Sequence, residues 1–242
     1  MAEIPRAQDQ LFDGRSSARD KYARLVVGRA GLGALLKHEA VVLCSQHVPG
    51  ALGFALRKLL YPALLGACGR NVVFGQNVVL RHPHKIGIGD NVVVDDNCLM
   101  DAKGDSNQGI TIGSGVFIGR NTILSCKNGD IEIEDGANIG ARRSAMSSRP
   151  SAAPSALRSS LDTAASRTMS LVATSASRVR VGKDTLIAAY CYLIGGDHDA
   201  KDPSAPVLSQ SRSSAGVSVG AGAWLGAGAK ILDGVTIGDG AV

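Results

Sequence analysis

The sequence predicts a mainly β fold: a three-sided prism of stacked six-residue rungs, preceded by a helical segment. Three observations predict it. The first is a period of six. From Val219 the chain reads VGAGAW, LGAGAK, ILDGVT and IGDGAV, with an aliphatic residue at Val219, Leu225, Ile231 and Ile237. Glycine follows three of these (Gly220, Gly226, Gly238), and a small or β-branched residue stands four places on, at Ala223, Ala229, Val235 and Ala241. The second is recurrence. Phe74-Gly75 leads to Val78, Ile88-Gly89 to Val92, Val94 to Cys98, Ile112-Gly113 to Val116 and Ile118-Gly119 to Thr122. Ile133 leads to Ala137, Val181-Gly182 to Thr185 and Ile187 to Cys191. The third is composition. Hydrophobic residues reach 45% with only 4% aromatic, and glycine counts 30 among 242 residues. That suits a thin, regular β structure with tight corners and no aromatic cluster.

A period of six is neither the strand's two nor the helix's 3.6. It suits a rung made of one short flat strand and a corner. The aliphatic residue points inward, glycine frees the backbone near the corner, and the small residue fits beneath it. Three rungs close one coil. Coils stacked at about 4.8 Å pile like residues into inward columns, which bury a continuous core.

Taken in order, residues 1–69 form an N-terminal helical or amphipathic segment. Leu25, Leu32, Leu35, Leu36, Val41 and Val42 have helical spacing, and ALGFALRKLLYPALLG (51–66) is a short amphipathic piece ended near Pro62. Two expectations attach to it: a helical cap over the open first coil, and peripheral contact with a membrane surface. Residues 1–20 lack the apolar core of a secretory signal. The longest uncharged run of this third, Ala40 to Leu56, is too short and too polar to span a bilayer.

Residues 70–140 form the first β-helix part and 179–242 the second. Between them, 141–178 breaks the pattern, with no glycine, eleven serines and nine alanines. It reads as a low-complexity Ser/Ala/Arg insertion, disordered or misread, with a helix around residues 155–166 as a third reading. The chain stops at Val242 within a coil, which reads as a truncated C-terminus.

Net charge is +5, and 141–178 alone holds six arginines, no lysine and one acid. The basic balance therefore belongs to one stretch and does not read as a nucleic-acid footprint. Five cysteines do not make a disulfide framework, so a reducing, cytoplasmic setting is expected, with the inner face of the membrane as its variant.

The rungs, above all VRVGKDTLIAAYCYLIGGDHD followed by VSVGAGAWLGAGAKILDGVTIGDGAV, resemble the hexapeptide-repeat acyltransferases. Within them the chain is most similar to the maltose/galactoside O-acetyltransferase group. The resemblance covers roughly 71–140 and 179–242. It implies a left-handed parallel β-helix of hexapeptide repeats and a homotrimer with sites between subunits. It implies acetyl-CoA as co-substrate, no metal, and a carbohydrate acceptor such as a small sugar or surface polysaccharide. By the family's count, about 25–30 residues of the odd segment are extra.

The same resemblance implies that His198, within IGGDHDAKDP, is the general base. Imidazole titrates near about 6.5 in water, so a histidine can serve as base at neutral pH. Asp197, Asp199 and Asp202 surround it, and one of them is expected to orient the ring. After His198 the pattern lapses until about Val217, an excursion expected to wall a cleft between subunits. By position, Trp224, Gly226 and Ala227 would line the groove for the donor's pantetheine arm. The family's later donor contacts fall beyond Val242, and Ser175 and Ala176 stand where acidic acceptor contacts are expected.

Other chemistry-bearing residues read as structural. His82 and His84 in HPH suggest a solvated corner, Cys98 and Cys191 core fillers, and Asp96, Asp101 and Asp105 corner residues. Gly195-Gly196 reads as a turn and not a phosphate loop. Two alternatives accompany the enzyme reading: a catalytically impaired, interrupted β-helix, and, more remotely, a β-helical metal hydratase.

Overall fold

In the computed structural model, residues 14, 16–127, 129–140, 171–175, 177–198 and 200–242 are described. Their strands form three parallel sheets in which every third strand is a neighbour, so the chain winds around three faces. The first face joins Ala67–Cys68, Ile86–Ile88, Ile110–Ile112, Asp130–Ile133, Arg178–Val181, Val217–Val219 and Thr236–Ile237. The second joins Val73–Phe74, Val93–Val94, Phe117–Ile118, Asn138–Ile139, Leu186–Ile187 and Trp224–Leu225. The third joins Val79–Arg81, Leu99–Ala102, Ile123–Cys126, Leu171–Ser175, Cys191–Gly195 and Lys230–Ile231. The fold is a left-handed parallel β-helix with N-terminal helices, as expected.

Register turns the six-residue period into columns. Ile88, Ile112, Ile133, Val181, Val219 and Ile237 stack on the first face. Phe74, Val94, Ile118, Ile139, Ile187 and Leu225 stack on the second. Leu80, Met100, Leu124, Ala173, Leu193 and Ile231 stack on the third. Most of these residues are fully buried and share one core. Burying each large aliphatic side chain contributes about 1.5–3 kcal/mol.

The corners explain the rest of the template. Asn71, Asn77, Asn91, Asn97 and Asn121 take positive φ, which asparagine tolerates better than most residues. Asn71 donates to Asn91 and Asn77 to Asn97, each at 3.1 Å, so neighbouring corners are tied coil to coil. Glycine after the inward residue is needed for close approach. A Cβ on Gly75 would stand 2.5 Å from the Asp96 amide nitrogen. In its absence the Asp96 carboxylate accepts from the Gln76 N–H at 2.7 Å.

Among the described residues, three α-helices precede the coils. Helix α1 (Ala18–Tyr22) is capped by Ser17, whose hydroxyl accepts from the Asp20 N–H. Helix α2 (Leu32–Ser45) and helix α3 (Gly50–Leu60) follow. The Arg57 guanidinium is buried and donates to the carbonyls of Phe74, Ser45 and Val48. Tyr61 donates to the Val78 carbonyl at 2.9 Å, and its ring lies 5.1 Å from that of Phe74. The segment thus seals the first coil. No helix among the described residues is long and apolar enough to cross a membrane.

One boundary needs correction. Leu171–Ser175, inside the stretch set aside as patternless, is a strand on the third face, and Arg178 already starts the next coil. Alternating Leu171 and Ala173 point inward, a strand signal that the surrounding serines obscure. Val172 pairs with Ile123 and Ile139 with Ile118. Val172 therefore follows Ile139 by 33 positions where the previous coil uses five, leaving 28 extra residues at one corner. Residues 141–170, and with them the readings as disorder, frame error or helix, lie outside the described residues.

Candidate active site

The first edge of the prism is short and repetitive, the second is so apart from the corner with the extra residues, and the third is not. Its connections, from the third face back to the first, are residues 82–85, 103–109, 127–129, 176–177, 196–216 and 232–235. The 196–216 excursion carries His198. Gly196, at φ 153°, turns the chain off the end of Cys191–Gly195. Asp197–His198 then pairs antiparallel with Arg212–Ser213, placing His198 opposite Arg212.

The excursion is internally bonded. Gln210 accepts from the Asp202 N–H at 3.1 Å and donates to the carbonyls of Asp202 and Ala205. The Asp202 carboxylate accepts from the Ser204 hydroxyl and N–H at 2.6 and 2.8 Å, which holds it below the usual carboxylate range. At the loop's end, the Ala215 and Gly216 N–H groups donate to Asp233.

His198 is half-buried, and its Nδ1 is shielded from solvent without a hydrogen-bond partner among the described residues. The expectation that a neighbouring aspartate orients the ring is not met by two of the three. Asp197 turns its carboxylate onto the His198 backbone N–H at 2.7 Å, and Asp202 is taken up by Ser204. Short aspartate side chains in a tight ribbon reach the nearest backbone N–H first. Asp199 lies outside the described residues.

Trp224, Gly226 and Ala227 sit elsewhere. Trp224 is half exposed on the second face, and Gly226 and Ala227 form the exposed corner leading to the third. The five-residue strand Cys191–Gly195 separates this corner from His198. At about 3.3 Å per residue that is roughly 16 Å. One chain therefore does not bring the predicted base and donor groove together.

A cationic group beside the ribbon escaped the sequence reading. Lys103 and Lys127 each follow a register-paired residue, Ala102 and Cys126, at the third edge. Burial, with Arg212 and Lys103 as like-charged neighbours, pushes the Lys127 ammonium down. The only sequence signal is their shared place just after a third-face strand, visible once the coils are aligned.

The HPH corner differs from its expected solvated state. His82 is buried at φ 51°, its N–H donates to the Val26 carbonyl, and Nε2 lies 3.0 Å from the Arg24 carbonyl. It moors the chain between α1 and α2 to the first coil. Its Nδ1 stands 3.7 Å from the buried Asp101, beyond hydrogen-bond reach, so Asp101 is more than a corner residue. Burial, followed by the charge of Arg29, pushes the His84 imidazole down. Among the described residues, no group of three or more His, Cys, Asp or Glu side chains could hold a metal ion.

Cys98 and Cys191 are buried at the small position of their rungs. Desolvation pushes the Cys98 thiol up to about 12 and raises that of Cys191. Both are inert packing groups.

No family model and no curated protein matches the chain. Among solved structures it is similar to a hexapeptide-repeat-containing acetyltransferase from Vibrio cholerae, at 16% identity and a TM-score of 0.41, over 88% of this chain and 90% of that one. A likeness at that level says nothing of which residues act.

Proposed function

We propose that the protein is an acyltransferase that moves an acetyl group from acetyl-CoA to a carbohydrate hydroxyl, with His198 as general base. One observation carries the reading: the bonded 196–216 excursion presents a half-buried histidine whose Nδ1 has no hydrogen-bond partner among the described residues.

In this mechanism the His198 imidazole accepts the acceptor's hydroxyl proton as the hydroxyl oxygen bonds to the thioester carbonyl carbon. The C–S bond then breaks, and the departing thiolate takes the proton back from the imidazolium. No covalent enzyme intermediate forms. Such a base contributes about 10²–10⁴ in rate.

The site needs more than one copy. Within a chain, His198 and the Trp224–Ala227 corner lie at opposite ends of a third-face strand. A trimer in which the third edge of one copy meets the second corner of its neighbour joins them, and symmetry repeats the site three times.

Thiol release from acetyl-CoA with candidate sugars tests the reading. Wild-type turnover and a loss of about 10²–10⁴ in kcat for His198→Ala are expected. Undiminished turnover in His198→Ala would remove the mechanism.

A further inference from the structure

The helices that seal the first coil have a second apolar side. Helix α2 turns His38, Val41 and Ser45 inward. On its opposite side Leu32, Leu36 and Leu43, at spacings of four and seven, are 57%, 64% and 78% exposed. Helix α3 buries Gly53 and Arg57, yet leaves Leu52 and Leu59, seven apart, 66% and 75% exposed. Packing on the coils explains the inward sides and leaves these leucines without a purpose. Exposed apolar groups at helical spacing on adjoining helices mark a docking surface.

Charge selects the occupant. Lys37 and Lys58 are exposed beside the leucines. Helix α3 contains no acid, and the one acid of α2, Glu39, accepts from the Tyr22 hydroxyl at 2.6 Å and lies 3.2 Å from the His38 ring. The Glu39 carboxylate, held below the usual range by the Tyr22 hydroxyl, shares the leucine side, so the two exposed ammonium groups outnumber one carboxylate already engaged within the chain. A lipid surface with anionic headgroups matches both features, because the leucines enter the acyl boundary while the lysines stay at headgroup level. We infer that the α2–α3 pair docks the protein on an anionic lipid surface, lying on it and not crossing it.

Flotation of the full chain with phosphatidylcholine vesicles, with and without phosphatidylserine, tests this independently of catalysis. Binding to the serine-containing vesicles is expected, weaker binding to neutral ones, and a fall of roughly tenfold in partition for Leu43→Gln with Leu59→Gln. Lys37→Glu with Lys58→Glu should erase the preference for anionic vesicles. These positions are exposed, so the fold tolerates the changes. No flotation by the wild type, or equal flotation by the leucine variant, overturns the inference. So does light scattering that shows these leucines joining two copies of the chain without any vesicle binding.

Discussion

The first and third edges of the prism obey different rules. At the first, four residues always separate one face from the next, from 69–72 through 220–223. Each such corner must fit beneath its neighbour, so glycine, asparagine and aspartate recur where backbones touch. At the third edge the connections run from two residues to the 21 of 196–216. The difference teaches where variation is tolerated. An edge whose corners stack and hydrogen-bond from coil to coil is under packing constraint, whereas an edge whose loops leave the prism is free to carry chemistry.

The largest effect should come from crowding a stacked corner. The second edge, which shares this geometry except at its insertion, offers a matched pair. Gly75→Ala forces a Cβ against the Asp96 backbone and should lose about 3 kcal/mol in urea denaturation. Gly226→Ala, where an added Cβ meets nothing within 4 Å, should change stability by less than about 0.5 kcal/mol. Equal losses would mean that close approach is not what holds these corners.

A smaller effect is expected on the free edge. Gln210→Ala removes the bonds that close the excursion on Asp202 and Ala205, at a cost of about 1 kcal/mol or less. Limited proteolysis should then cut within 200–212 faster while the coils stay resistant. Faster cutting throughout would make the two edges one cooperative unit.

The smallest effect is electrostatic. His84 has a lowered affinity for protons in the fold, so the unfolded chain binds more of them. Stability should therefore fall as pH drops through about 6.5 and level off below the depressed folded value. His84→Gln should flatten that part of the profile in pH-dependent melts. An unchanged slope would show that burial at this corner has no proton cost.

Much of this division is legible in the sequence because a residue's inward direction follows from its place in the six-residue period. The first two columns, from Phe74 to Ile237, could be read directly, as could the excursion after His198, where the period lapses; of the third column only Ile231 is visible, because its strands follow connections of uneven length. Leu171–Ser175 could not, because its five residues sit behind a serine- and alanine-rich stretch that hides the phase. The burial of His82 depends on the chain between α1 and α2 folding back across 58 positions to Arg24, which no local pattern encodes. The cations Lys103, Lys127 and Arg212 come from three separate coils. The hydrogen bonding of Asp197 and Asp202 is a contest between ring and backbone that spacing alone does not decide.

The central claim is that the histidine of one copy works against the groove of the next. Co-expression of His198→Ala with Gly226→Glu tests it most directly, since each variant alone lacks one half of every site. Random mixing into trimers should restore thiol release to about a quarter of the wild-type rate. Trimers that mix freely yet stay silent would contradict the account.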